Sequence, residues 1–142
     1  MRYMIIVKAS AETEAEITPV NADSEMLAEM AGYHEQLMKA GVLLDYAGLK
    51  PSSQGWRIRY DGDARSMIDG PFAETKGLVA GYTLIQVPSR AEAMEWARRY
   101  PNPAGRGKPA EIEVRPLYEL DDFGPSPEVE RLKQAALSGN AP

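Results

Sequence analysis

A run of apolar residues near the start of the chain, from Tyr3 to Val7, constrains the fold more than any other feature. Successive side chains of a strand point to opposite faces. Tyr3, Ile5 and Val7 would therefore share one face, while Met4 and Ile6 share the other. Both sets are apolar, and a strand of this kind is covered on both faces. We expect a first strand whose sheet is buried on either side.

Two long helices follow from the apolar spacing and the residues that end it. The first runs from Asp23 or Ser24 to about Ala40, with one apolar stripe, and Gly41 ends it. The second starts at a capping box on Ser89. Residues 9–22 are predicted to form a loop. A terminal helix is expected over residues 126–137.

Strands are predicted between these helices by alternation and turn residues. Trp56–Asp61 alternates apolar side chains with charged ones, and Asp61-Gly62-Asp63 is typical of a hairpin turn. Pro116 indicates that the last strand lies at a sheet edge, because proline cannot donate to a central ladder. The other strands are expected over residues 42–49, 67–68, 78–87 and 112–117.

The order strand, helix, strands, helix, strand predicts an α+β fold. It matches the ferredoxin-like βαββαβ pattern with an extra hairpin. Both long helices would cover one face of an antiparallel sheet, which leaves the other face to be buried. A second copy packing sheet to sheet is the simplest cover, and such isologous pairs are the commonest oligomers. We therefore expect a homodimer.

Composition limits the classes of function. With 142 residues the chain is expected to form one domain. It has no cysteine and one histidine, so thiolate chemistry and a histidine-rich metal site within one chain are excluded, and no motif requires a cofactor. The net charge of −5 disfavours nucleic-acid and anionic-membrane binding. No apolar run reaches the roughly 20 residues that span a bilayer, so a cytoplasmic location is expected.

The stretch from Asp69 to Lys76 concentrates polar chemistry behind a rigid turn. Pro71 fixes its own backbone and restricts Gly70. Asp69 can accept hydrogen bonds from the backbone beyond it, and Phe72 is expected to anchor the loop to the core. The stretch is either an ordinary turn or a site in which Asp69, Glu74 and Lys76 are held at fixed geometry.

Four other polar residues and one histidine are candidates for such a site. His34 lies at the border of the first helix's apolar stripe, as a surface histidine or as a proton-transfer group. Arg57 and Arg59 occupy one face of their strand, and Arg115 projects from the last strand. Their faces either meet water or line an interior that would prefer an anionic small molecule. Tyr82 or Arg115 would bind the substrate.

The octapeptide Asp69–Lys76, followed by Gly81-Tyr82, Ala93–Ala97 and Glu113–Pro116, resembles the DGPF-domain branch of the YCII-related proteins. The resemblance covers about residues 2–123, and it departs from the family at Gly77, where a glutamate is usual. It implies a dimeric α+β barrel over residues 1–123, followed by a helical extension over 124–142. It also implies a His–Asp pair in parts of the wider superfamily, and sigma-factor neighbours for relatives of this branch.

Two functions remain open on these grounds. One is a cofactor-free acid–base enzyme of the lyase or isomerase type, acting on a small anionic metabolite. In it Asp69 acts as base or orients His34, and Lys76 neutralises charge that develops on an oxygen. The other is a non-catalytic binding or regulatory module, in which the Asp69 loop is a structural clamp at the barrel mouth or only stabilises the dimer.

Overall fold

The computed structural model describes residues 1–15, 24–74 and 77–139. Its strands are β1 (Arg2–Lys8), β2 (Leu43–Gly48), β3 (Trp56–Asp61), β4 (Ala64–Asp69), β5 (Val79–Gln86) and β6 (Ile112–Pro116). Its helices are α1 (Ala11–Glu14), α2 (Ser24–Lys39), α3 (Arg90–Arg98) and α4 (Pro127–Gly139). Within these ranges, no helix combines the length and apolar character needed to cross a bilayer.

Four strands form one antiparallel sheet in the order β2-β5-β1-β6. Ile5 of β1 lies opposite Thr83 of β5 and Val114 of β6, so β1 is a central strand. Strand β6 lies at an edge, as Pro116 predicts. Strands β3 and β4 pair only with each other, in a separate two-stranded hairpin. The predicted α+β class with an antiparallel sheet is confirmed.

The core lies between the four-stranded sheet and helices α2 and α3. Tyr3, Ile5 and Ile85 pack there against helix residues, among them Tyr33 and Leu37 of α2. The Tyr33 hydroxyl donates to the backbone oxygen of Trp96 at 2.6 Å, and burial raises the pKa of this tyrosine. Both long helices therefore cover the same face, and the hydrogen bond joins them to each other.

The opposite face of the sheet carries the second alternating set of side chains, and we call it the open face. Met4 and Ile6 of β1 lie there, with Leu84 opposite Met4 on β5. These three apolar side chains are half-buried within a single chain. The polar members of the open face are Tyr82, opposite Ile6, together with Glu113 and Arg115 of β6.

Three local predictions are corrected by the structure. Residues 9–22 were expected to be a loop, yet α1 occupies Ala11–Glu14 because Ser10 and Thr13 form a reciprocal cap over one turn. Phe72 was expected to anchor its loop to the core, but it is half-buried and packs on the hairpin instead. The short strand predicted at 67–68 extends over all of β4.

Candidate functional site

The Asp-Gly-Pro-Phe loop follows β4 and leans on the turn before β3. The Gly70 N–H donates to the Gly55 carbonyl at 3.0 Å. A Cβ placed on Gly70 would lie 1.8 Å from the backbone oxygen of Ser52, which is far inside any real contact. The loop can approach the turn this closely only because position 70 carries no side chain.

Ser52 connects this loop to α1. Its hydroxyl oxygen accepts from the Phe72 N–H at 3.0 Å, and the same hydroxyl donates to the Glu14 carboxylate. The Ser52 N–H donates to the other Glu14 oxygen at 3.0 Å. Three segments that are distant in sequence therefore meet at one serine. Sequence reasoning missed Glu14 and Ser52, because nothing in either local pattern indicates a contact across 38 positions.

The polar residues of the predicted loop site are only partly described. Asp69 is exposed, and its carboxylate makes no hydrogen bond to another residue in the described ranges. Glu74 is also exposed. Lys76 and Thr75 lie outside the described residues. The backbone N–H groups of the loop donate to Ser52 and Gly55. The Asp69 side chain therefore does not cap this turn.

Arg57 and Arg59 belong to the hairpin and not to the four-stranded sheet. The Arg57 guanidinium stacks 3.9 Å above the centre of the Phe72 ring. Arg59 is exposed and lies opposite Ser66. Arg57 therefore has a structural contact that fixes Phe72 to β3, while Arg59 faces water in the single chain.

His34 takes part in a polar network between α2 and the sheet. Its Nδ1 lies 2.7 Å from the Met30 carbonyl oxygen, and its Nε2 lies 2.8 Å from the Thr83 hydroxyl. A carbonyl can only accept, so Nδ1 carries a proton and donates to Met30, while Nε2 shares a second hydrogen bond with the Thr83 hydroxyl. Thr83 is fully buried. The neighbouring Tyr46 ring lies 4.7 Å from the imidazole.

Tyr82 and Arg115 are the two predicted ligand-binding residues that share a surface. Both lie on the open face, on the strands that flank β1. The Tyr82 hydroxyl donates to Asp45 Oδ2 at 2.9 Å, and this hydrogen bond raises the pKa of Tyr82. Asp45 is a residue that sequence reasoning did not single out. Two strand spacings separate Tyr82 from Arg115, about 10 Å across the sheet.

Charge is unevenly distributed over the β6 side of the open face. Glu113 lies 3.4 Å from the Lys8 ammonium and 4.0 Å from the Arg115 guanidinium. One carboxylate therefore faces two cations. The Arg115 side chain is 72% exposed, so most of it is accessible to a ligand. This side of the face offers an unneutralised positive charge.

The structure thus separates the predicted site residues into three places. Tyr82 and Arg115 lie on the open face, His34 lies on the helix side of the same sheet, and the hairpin carries Asp69 on one face and the two arginines on the other. No hydrogen bond joins His34 to Asp69 in the described part of the chain. A single chain does not assemble the seven predicted residues that lie in the described ranges into one site.

Two cavities that are lined by described residues lie elsewhere. The larger, of about 240 Å³, lies between α3 and strands β1 and β6. The smaller, of about 180 Å³, lies beside the loop that follows Tyr100. Neither is lined by the Asp69 loop, His34 or the open face.

The fold and these surfaces define a small α+β protein with an antiparallel sheet, two helices on one face and a mixed polar and apolar face opposite. The chain belongs to the YCII-related family, whose domain matches residues 1–119. It is also similar to an uncharacterised protein of Rhizobium meliloti (strain 1021). The two are 32% identical over 95 residues, which are 67% of this chain and 75% of that protein.

Proposed function

We propose that the protein is a homodimer whose two open faces enclose a chamber for a small anionic molecule. The observation that carries this proposal is the composition of the open face. An apolar strip of Met4, Ile6 and Leu84 runs between a hydrogen-bonded Tyr82–Asp45 pair and the partly neutralised Arg115. Ligand sites typically combine apolar walls with a few polar groups of this kind.

Burial of the apolar strip supports the dimer. Large apolar side chains left on one face of a sheet are stabilised by a second layer, and helices α2 and α3 already lie on the other face. The strand order β2-β5-β1-β6 with two helices on one side is compatible with the ferredoxin-like unit from which dimeric α+β barrels are built. A second copy would supply the missing layer.

The hairpin gives independent support for a partner copy. One face of the hairpin carries four exposed apolar side chains, Trp56, Ile58, Tyr60 and Met67, together with the charged Asp69 and Arg65. Two-stranded hairpins are marginally stable on their own, and contiguous exposed apolar patches mark interaction sites. Packing of this face on a second subunit would bury the patch and hold the hairpin near the mouth of the chamber.

Acid–base catalysis is the second candidate, and the Tyr82–Asp45 hydrogen bond favours it. The Asp45 carboxylate can accept a proton, and the neighbouring Tyr82 hydroxyl can donate one. One ligand bound on the open face could contact both groups. Arg115 would then bind the anionic group about 12 Å away, since it lies two strands across and two residues along the sheet from Tyr82. The Asp69, Glu74 and Lys76 loop remains a predicted catalytic element, which a dimer could bring to the chamber.

Ligand binding can be tested by native mass spectrometry of the intact dimer against a defined panel of small carboxylic acids and phosphorylated metabolites. We expect one panel member to bind, and Arg115→Gln to weaken that binding by at least about tenfold, because hydrogen bonds to a charged group are lost. Arg131→Gln, an exposed arginine on α4, is the matched control and should bind normally. Equal binding by all three proteins would contradict the proposed chamber.

The same experiment separates binding from catalysis. A ligand recovered chemically unchanged after prolonged incubation indicates a binding module. A converted ligand indicates an enzyme, and Asp45→Asn should then remove conversion while leaving the melting temperature within a few degrees. Asp69→Asn tests the predicted catalytic loop in the same assay. If Asp69→Asn lowers only the melting temperature, the loop is structural.

A further inference from the structure

The cavity of about 240 Å³ lies on the helix side of the sheet, opposite the open face. One wall is a single face of α3, because Arg90, Ala93, Met94, Ala97 and Arg98 recur at helical spacing. The other wall consists of Tyr3 of β1 with Val114 and Pro116 of β6. The walls are apolar along the middle, and an arginine stands toward each end of the helical face.

Tyr3 places a polar atom against this cavity without a protein partner. Only 4% of the surface of Tyr3 is exposed. Its hydroxyl makes no hydrogen bond to any described residue. In the described ranges, no fully buried side-chain polar atom lacks a partner. The hydroxyl therefore lies in the small accessible part of Tyr3, and Tyr3 is one of the residues that line the cavity. A lone phenol in an apolar recess is suited to hydrogen-bond a ligand.

The two arginines differ in how far they are already neutralised. Arg98 forms an ion pair with Glu95 one turn earlier on α3. Arg90 is exposed and has no ion pair within the described residues. It is also the first residue of a nine-residue helix, where the helix dipole adds positive potential. The Arg90 end of the groove therefore favours an anion.

We propose that this groove binds a small carboxylic acid with an aliphatic or aromatic body. The carboxylate would pair with the Arg90 guanidinium in the bidentate geometry that arginine prefers. The apolar body would lie along Ala93, Met94 and Ala97, with the Tyr3 hydroxyl donating to an oxygen of the ligand. The volume is below the roughly 300 Å³ at which cavities for larger ligands begin, so the ligand is small. This site is distinct from the proposed chamber.

The test is an NMR titration of the ¹⁵N-labelled full-length protein with octanoate, and with octanol as its neutral counterpart. We expect saturable amide shifts on α3 and β6 with octanoate and much weaker ones with octanol. Arg90→Gln should weaken octanoate binding by at least about tenfold, and Tyr3→Phe by about three- to tenfold. Arg131→Gln, at an exposed position on α4, should leave the affinity unchanged.

A variant that fills the groove gives a second, independent readout. Ala97→Leu adds bulk at a half-buried position of the cavity wall, and we expect it to abolish the octanoate shifts while the amide spectrum otherwise stays folded. Octanoate shifts confined to the open face would overturn the groove proposal and move the ligand to the dimer chamber. Octanol binding as tight as octanoate, or binding unaffected by Arg90→Gln, would also overturn it, and so would the absence of saturable shifts.

Discussion

Gly70 shows how one position decides the geometry of the Asp-Gly-Pro-Phe loop. An added Cβ would lie 1.8 Å from the Ser52 backbone oxygen and 2.6 Å from the carbonyl carbon. Both are main-chain atoms, which cannot rotate away as the end of a flexible side chain can. The close approach also places Phe72 N–H within reach of the Ser52 hydroxyl. Position 70 thus sets the distance between loop and turn.

Replacing Gly70 by alanine should therefore destabilise the protein. Overpacking of this kind typically costs about 1–3 kcal/mol of unfolding free energy, which urea denaturation measures. Gly48→Ala is the matched control, since nothing lies within 4 Å of its added Cβ. A Gly70→Ala protein as stable as the control would show that the loop does not depend on this contact.

Thr83 is the residue on which the buried end of the His34 network depends. Its hydroxyl is fully buried and is the partner of His34 Nε2. The nearby Tyr100 is also affected: burial raises its pKa, and a hydrogen bond with Thr83 works in the opposite direction. One hydroxyl therefore serves two rings, and its removal leaves polar atoms without a partner.

Thr83→Val removes that hydroxyl at nearly constant volume. We expect a loss of about 1–3 kcal/mol in unfolding free energy, because an imidazole nitrogen is left unsatisfied at the core boundary. Thr83→Ser keeps the hydroxyl and should recover most of the loss relative to valine. If valine and serine destabilise equally, packing of the methyl group and not the hydrogen bond sets the stability.

At the scale of elements, the β3–β4 hairpin and α1 are joined through Ser52 rather than through the main sheet. The hairpin pairs only with itself, and α1 is one turn long. Neither is stable alone. The hydrogen bonds from Ser52 to Glu14 and from Phe72 to Ser52 therefore couple two weak elements, and loss of one should loosen the other.

Ser52→Ala tests this coupling locally. The Phe72 N–H loses its acceptor in this variant. Its native-state hydrogen exchange should become at least about tenfold faster, which corresponds to a loss of about 1.4 kcal/mol in the free energy that protects this amide from exchange. Ser53→Ala is not a clean control, because Ser53 has contacts of its own. Ser66→Ala, exposed on β4, is preferable and should leave Phe72 exchange unchanged. Unchanged exchange in Ser52→Ala would contradict the coupling.

Local chemistry predicted the elements well and the contacts between them poorly. Ser89 predicted the start of α3, because a helix cap acts within a few residues. Pro116 predicted an edge strand, because proline has no backbone N–H to donate to a neighbouring strand. The clamp of Glu14 on Ser52 depends on a long-range approach that no local pattern encodes. Tyr82 and Arg115 are a second example, because they share a face only through the register of their strands with β1. The sequence alone did not show whether that face meets water or lines an interior.

At the scale of the whole molecule, an ion pair joins the first strand to the segment that follows the last strand. Arg2 at the start of β1 donates twice to Glu119, just beyond β6, with both Nε–Oε1 and Nη2–Oε2 at 2.9 Å. The hydrogen bonds from Arg2 lower the pKa of Glu119. A carboxylate with a lowered folded-state pKa adds stability above its unfolded value, and the stability is lost as pH falls through the folded value.

Glu119→Gln should accordingly reduce the unfolding free energy at pH 7 by about 0.5–1 kcal/mol, a modest value because the pair is partly exposed. The difference from wild type should shrink as pH falls below the ordinary carboxyl pKa of 4.5. Glu95→Gln removes a more exposed pair on α3 and should change stability less. A difference that stays constant from pH 7 to pH 3 would show that charge is not its origin.

The open face is the feature on which the proposed function rests, and its burial by a second copy is measurable directly. Sedimentation equilibrium should give a particle of two chains, and Ile6→Lys should convert it to one folded chain, because a charge would be buried at the centre of the interface. Met38→Lys, at an exposed position on α2, should remain a pair. A wild-type protein that sediments as a single stable chain, with the open face in water, would contradict the enclosed chamber.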